Sequence, residues 1–307
     1  MHWISETEDV HVCVRRCRVA DASPTVARRT LARVLRQRRE QAKFTAAKAA
    51  RYAGMHAATL SKVESATTRI QPGTAQALMR YYGGTEAECD AVFDLAHAAR
   101  QRGWWQTHKA MPDWFDAYVG LETESRLLRD YQVELIHGLL QTDQYAFHLA
   151  RSAVDVTSDE EAKAHVALRM ARQERLTAEN PVELHTIMNE AALYREVGGP
   201  EVMRSQLKHL RERCELPNVS CQILPFSAGE HAAGYGSFLI MSFPQSPHEA
   251  ITFAEVVYVE YGLGALYLED GSDVSHFTKI FNDLSSRALS VDKSLKLIER
   301  ALQERST

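Results

Sequence analysis

The chain has 307 residues, 45% of them hydrophobic, which is enough for two domains with separate cores. No window approaches 18 consecutive apolar residues and no apolar leader opens the chain, which argues against a membrane span and against secretion. The formal net charge of −4 conceals a segregation that excludes an evenly mixed surface: residues 24–82 hold 12 Lys and Arg against two acids, net +10, while residues 83–307 hold 21 against 34, net −13.

In chain order, residues 1–23 fit no periodic element and read as a disordered arm with a net charge of −1. Cys13 and Cys17 lie in it without the second pair that a zinc site needs. Residues 25–42 place Leu31, Val34 and Leu35 on one helical face and Arg28, Arg29, Arg36 and Arg39 around the rest. Residues 44–65, FTAAKAARYAGMHAATLSKVES, then read as two short helices joined at Gly54. Thr45 caps the first, and small Ala49, Ala50 and Ala53 let it pack closely. The second runs from about Ala57 to Ser65, with Leu60 and Val63 inward and Thr59, Ser61 and Lys62 outward. A helix with a small, polar and basic outer face suits base edges and phosphates in a major groove. Gln71-Pro72 starts a further helix through Ala75, Leu78 and Tyr82, and Thr85-Glu86-Ala87-Glu88 is a capping box opening another to about Arg100. This gives a helix-turn-helix domain over residues 24–100 and a second domain over residues 101–307. A basic head is drawn to a polyphosphate and an acidic body is repelled by one.

Residues 31–82 resemble the phage-repressor-like (XRE) class of helix-turn-helix regulators. The resemblance is carried by Leu35-Arg36, Arg39-Glu40, Phe44-Thr45, Gly54-Met55 and Thr59-Leu60-Ser61-Lys62-Val63-Glu64-Ser65. It implies that the first turns of the second helix read bases, through Ala57, Ala58, Thr59, Ser61 and Lys62. It also implies a structural ion pair between Arg39 and Glu64. Arg28, Arg29, Thr45, Lys48 and Arg69 are the candidate phosphate contacts. Four positions depart from the class: Ala46 and Ala57 replace longer polar residues, His56 is a poor cap, and Lys43 stands where a helix-ending glycine is usual. A non-glycine residue at that point predicts an irregular turn. Two alanines on the reading face shift specificity toward thymine methyl contacts and DNA shape.

Beyond Gly103-Trp104-Trp105, taken as a linker, residues 121–130 and 132–153 read as helices. Ser158-Asp159-Glu160-Glu161 is a second capping box, heading a helix through Ala178. Residues 182–188, 219–224, 237–243, 251–259 and 265–268 are strand-like, and helices fall at about 200–213, 273–287 and 292–304. The fold class is therefore mainly α: an N-terminal helix-turn-helix bundle followed by an α+β domain with a helix-flanked, partly antiparallel sheet. The segments YVGLE (118–122), GLLQT (138–142), GGPEVM (198–203), NVSCQILPF (218–226), YVE (258–260) and LYLED (266–270) resemble a domain of unknown biochemical role. That domain recurs behind XRE-type modules in filamentous soil bacteria. The resemblance implies a gene neighbour encoding a very small acidic partner protein, in an antitoxin-like arrangement.

Signs of catalysis are few. There is no nucleophile elbow, Walker loop or zinc-protease helix. Gly234-Tyr235-Gly236 reads as a strand entry rather than a phosphate loop, and the 13 histidines show no paired metal spacing. Glu190 and Glu260 read as solvated or ion-paired, and Trp104, Trp105 and Trp114 as interdomain anchors. Cys89, Cys214 and Cys221 sit in apolar or strand contexts, and the odd cysteine count points to a reducing compartment, the cytoplasm. No cofactor, metal or catalytic residue is expected. A lone helix-turn-helix buries little on DNA, so a homodimer on an imperfect palindrome of double-stranded DNA is expected. A small-molecule effector or a partner protein would act through the C-terminal domain. The alternative is an antitoxin-like module whose main role is binding the acidic partner, with DNA binding serving autoregulation.

Overall fold

The computed structural model describes residues 23–107, 113–244 and 255–305. The arm with Cys13 and Cys17, and the first residues of the 251–259 strand, lie outside them.

Helix α1 (Pro24–Gln41) begins where Ser23 Oγ accepts from Val26 N at 3.2 Å, with Pro24 at its first position. It is buried on more than one side: Val26 belongs to the core of the C-terminal half, while Ala27, Leu31, Val34 and Leu35 belong to the core of the head. Helices α2 (Ala46–Tyr52), α3 (Ala57–Glu64), α4 (Pro72–Tyr81) and α5 (Glu86–Ala98) complete the head around Ala49, Leu60, Leu78 and Val92. Thr45 and the Thr85/Glu88 capping box are both in place. Tyr81 stacks on Phe44 at 4.7 Å and on Tyr52 at 3.9 Å, tying α4 to the start and end of α2.

The first turn is regular rather than irregular. Lys43 takes the left-handed conformation (φ 57°) itself, and the turn closes with Phe44 N to Arg39 O and Lys43 N to Glu40 O, each 3.0 Å. The same double closure ends α3, with Ala66 left-handed (φ 57°) and bonds Thr67 N to Lys62 O and Ala66 N to Val63 O. Because a β-carbon is unfavourable in that region, Ala66→Gly should stabilise the head by about 0.5–1 kcal/mol, the gain being reduced by the greater freedom of glycine in the unfolded chain. Thermal unfolding would read this as a rise of a few degrees, and no rise would mean that the strain is relieved elsewhere.

The C-terminal half differs from the sequence reading chiefly between residues 113 and 153. Helix α6 spans Asp113–Glu124 and stops. Residues Leu127–Gln132 are then a strand, β1, where helix was expected over 121–130. The helix expected over 132–153 shrinks to α7 (Asp143–Ser152), preceded by one 3-10 turn at Gly138–Leu140. The reason is chemical. Arg129 and Asp130 interrupt the strand signal, but Arg129 is paired with Glu255 at 2.7 Å, and Asp130 accepts from Thr186 and Gln132, each at 2.9 Å. Helix α8 (Asp159–Gln173) follows. Its expected capping box is half formed: Ser158 accepts from Glu161 N, but the Glu161 carboxylate reaches back to Thr157 N at 2.7 Å.

Then come β2 (Glu183–Asn189), the single turn α9 (Ala191–Tyr194), α10 (Pro200–Arg213), β3 (Val219–Leu224), β4 (Phe238–Ser242), β5 (Val256–Tyr261), β6 (Gly264–Leu268), α11 (Gly271–Arg287) and α12 (Val291–Gln303). The sheet order is β3-β2-β1-β4-β5-β6, with β1, β2 and β3 parallel and the other pairings antiparallel. Alternation along β4 divides the core: Leu239 and Met241 face the layer holding α10 and α12, while Phe238 and Ile240 face α11.

Candidate nucleic-acid interface

The local sequence of α3 sets its two faces. Leu60 and Val63 are buried, and Ala57, Ala58, Thr59, Ser61 and Lys62 are exposed on the opposite side. His56 occupies the N-cap without a side-chain bond, and Thr59 N in the first turn of α3 donates back to His56 O at 2.9 Å. Thr45 and Lys48 lie at the start of α2, both exposed. Thr45 Oγ1 accepts from Lys48 N at 3.2 Å, and Lys48 Nζ sits 4.3 Å from the Phe44 ring centre. Arg69 is exposed in the α3–α4 connection.

Behind α3, Arg39 meets Glu64 with both arms of its guanidinium, Nε to Oε1 at 2.7 Å and Nη2 to Oε2 at 2.8 Å. Its remaining arm donates to Phe44 O at 2.9 Å. The side chains are 12% and 7% exposed, so the pair is largely, though not wholly, shielded from water. The Glu64 hydrogen bond raises the Arg39 pKa and burial opposes it. This fork joins α1, the α1–α2 turn and the end of α3, and it fixes the angle at which the exposed face of α3 is held. Among the described residues no ion pair ties Lys48, Lys62 or Arg69, whereas Arg36, Arg38 and Arg80 are each paired, with Glu40, Glu88 and Glu86.

The remaining two candidates sit elsewhere. Arg29 forms an ion pair with Glu269, and its guanidinium lies 4.7 Å from the Tyr267 ring centre. Arg28 is half-buried beside Arg29 and Arg69, within the field of Asp116 on α6. Both therefore face the C-terminal half. Glu269 had no signal in the sequence, because its partner lies 240 positions away.

The other residues singled out are dispersed. Glu190 accepts from Phe226 N and Glu260 from the Tyr258 hydroxyl, each at 2.8 Å. Tyr235 is fully exposed in the loop that enters β4. Trp105 is buried and donates to Asp116 Oδ1 at 2.7 Å, whereas Trp104 is 39% exposed. The side chain of Trp114 lies outside the described residues. Cys89, Cys214 and Cys221 are buried free thiols. Among the described residues no group of three or more His, Cys, Asp or Glu stands where it could hold a metal ion, and no helix is long and apolar enough to cross a membrane.

Comparison with known families gives two matches. Residues 30–92 match a helix-turn-helix domain, and residues 115–300 match DUF5753, a domain of unknown function. No curated protein and no solved structure matches the chain.

Proposed function

The chain belongs to the DUF5753 family and carries an XRE-like helix-turn-helix head, and we propose that it is a sequence-specific transcription regulator that works in the cytoplasm as a homodimer on double-stranded DNA. The observation that supports this most is the two-faced α3, whose exposed Ala57, Ala58, Thr59, Ser61 and Lys62 stand on a buried Leu60/Val63 base braced by the Arg39–Glu64 fork. In this reading the α3 residues approach base edges, with the two alanines favouring thymine methyl groups, and Thr45, Lys48 and Arg69 meet phosphates. The C-terminal half sets the spacing of two heads at about 34–36 Å, one helical turn. An effector or partner that prefers one dimer geometry would change that spacing.

Lys62→Ala tests the assignment. If Lys62 reads bases, binding to a selected operator should weaken by about 1–3 kcal/mol, with relaxed preference at particular base pairs. A loss that is uniform across sequences, with a shallower salt dependence, would move Lys62 to the phosphate set. Absence of binding by the full chain to any duplex at low ionic strength would end the reading.

A further inference from the structure

The N-terminal half of α1 is gripped by the C-terminal half through two unlike contacts. One is tight and uncharged: Ser23 Oγ donates to Gly120 O at 2.7 Å, Val26 packs into the core beside Trp105, and a β-carbon at Gly120 would collide with Thr25. The other is ionic and lies further along the helix. Arg29 is held by Glu269 and lies against Tyr267, with the two charged side chains 20% and 26% exposed. Arg33 also lies in the field of Glu269, and Arg28 in that of Asp116. Asp116 is itself fixed by the Trp105 indole N–H.

Three features make the ionic contact resemble a phosphate site occupied from within. The cations are consecutive turns of one basic helix in the segment of net charge +10. Arg28 Nε is buried without a hydrogen-bond partner among the described residues, so its guanidinium is incompletely satisfied where it stands. Arg28 also neighbours Arg69, which lies in the connection leaving α3, so the ionic contact adjoins the edge that carries the reading helix. Like charges placed together in this way are costly unless an anion lies between them.

We propose that the carboxylate of Glu269 stands in for a DNA phosphate, so that the acidic body competes with the duplex for Arg29 and full grip requires this clasp to open. The Ser23–Gly120 contact is the fixed point about which it opens. The inference rests on the DNA-binding reading above and deepens it. The clasp is a built-in restraint on affinity, and any ligand that draws β6 or the start of α11 away from α1 would release it.

The test uses the full chain and a mixed-sequence DNA duplex of about three helical turns, titrated across about 50–200 mM salt. Glu269→Gln should tighten binding about 5- to 10-fold at the low-salt end and steepen the log–log salt slope by about 0.9, one additional phosphate. Asp270→Asn, which makes the same charge change at an exposed neighbour with no side-chain capping bond, should do neither. Adding Arg29→Gln to Glu269→Gln should restore the wild-type slope. Arg29→Gln alone should leave the slope unchanged, because that charge is already committed to Glu269; this variant decides the matter if Glu269→Gln fails to fold. Equal effects of Glu269→Gln and Asp270→Asn would reduce the clasp to net charge and overturn it. So would a shallower slope for Arg29→Gln alone, or weaker binding by Glu269→Gln. If the wild type binds the duplex and these results follow, only the clasp falls. If no variant binds any duplex, the DNA-binding reading falls with it.

Discussion

Glu122→Gln is expected to destabilise the C-terminal half by about 3–5 kcal/mol. Arg172 on α8 reaches Glu122 on α6 with Nε and Nη2, each at 2.7 Å, and the Tyr118 hydroxyl donates to the same carboxylate at 2.7 Å. The side chains of Arg172 and Glu122 are 6% and 2% exposed. Removing the carboxylate charge leaves a guanidinium in the core with no counter-charge, and that desolvation is not recovered by relaxation. The double variant Glu122→Leu/Arg172→Met removes both charges and should recover most of the loss, since apolar pairs of similar volume often match or exceed a buried ion pair. Urea unfolding would report the difference as a shift in midpoint at constant slope. A single variant as stable as the wild type would mean that water reaches this pair.

The pH profile separates this pair from its neighbour Asp130. Burial alone would raise the Glu122 carboxyl, but the Arg172 charge, its hydrogen bonds and that of Tyr118 outweigh burial and hold the pKa below the ordinary range. The stability from Glu122 is therefore present above the unfolded value of about 4.3 and is lost as pH falls through the lower folded value. Asp130 has the opposite sign. Burial raises its pKa, against His137, Gln132 and Thr186, so its contribution is present below the unfolded value of about 3.9 and declines as pH rises through the folded value. Glu122→Leu/Arg172→Met should thus lose the acid limb, and Asp130→Asn should lose the decline on the side above.

These buried charges also explain where the sequence was hard to read. The head was legible because its signals are local: Thr45, Gly54, Gln71-Pro72 and the Thr85/Glu88 box each act within a few residues, and Leu60 and Val63 mark one face of a short helix. Most strands showed by their apolar runs. β1 did not, because Arg129 is paired with Glu255 and Asp130 accepts from Thr186 as well as from nearby Gln132, so two of the three partners come from distant parts of the chain. Without those partners, a central strand carrying two charges reads as an exposed helix. Arg28 and Arg29 pose the same problem at the candidate site. Their spacing announces a basic helical face, but the anion that Arg29 meets is Glu269, and no periodicity connects the two.

Arg39→Met is expected to cost the head about 3 kcal/mol, the lower end for a broken buried pair because Arg39 keeps some contact with water. Three bonds go at once: the two to Glu64 and the one to Phe44 O. Glu64 is then left nearly buried beside the Tyr82 phenol, which burial already keeps well above its usual pKa. Arg39→Lys should recover little, since one ammonium cannot supply a parallel fork and a third bond to a carbonyl. A domain of this size has a total stability of about 5–10 kcal/mol, so the head should remain folded in the cold and melt early on warming. DNA binding by Arg39→Met should follow that melting, near normal at low temperature and lost at temperatures the wild type tolerates. Lys62→Ala should do the reverse, leaving the melting temperature unchanged and weakening binding at every temperature. If Arg39→Met melted like the wild type, the fork would not be what holds α3 in place, and the orientation of its exposed face would have to come from the apolar contacts of Leu60 and Val63 alone.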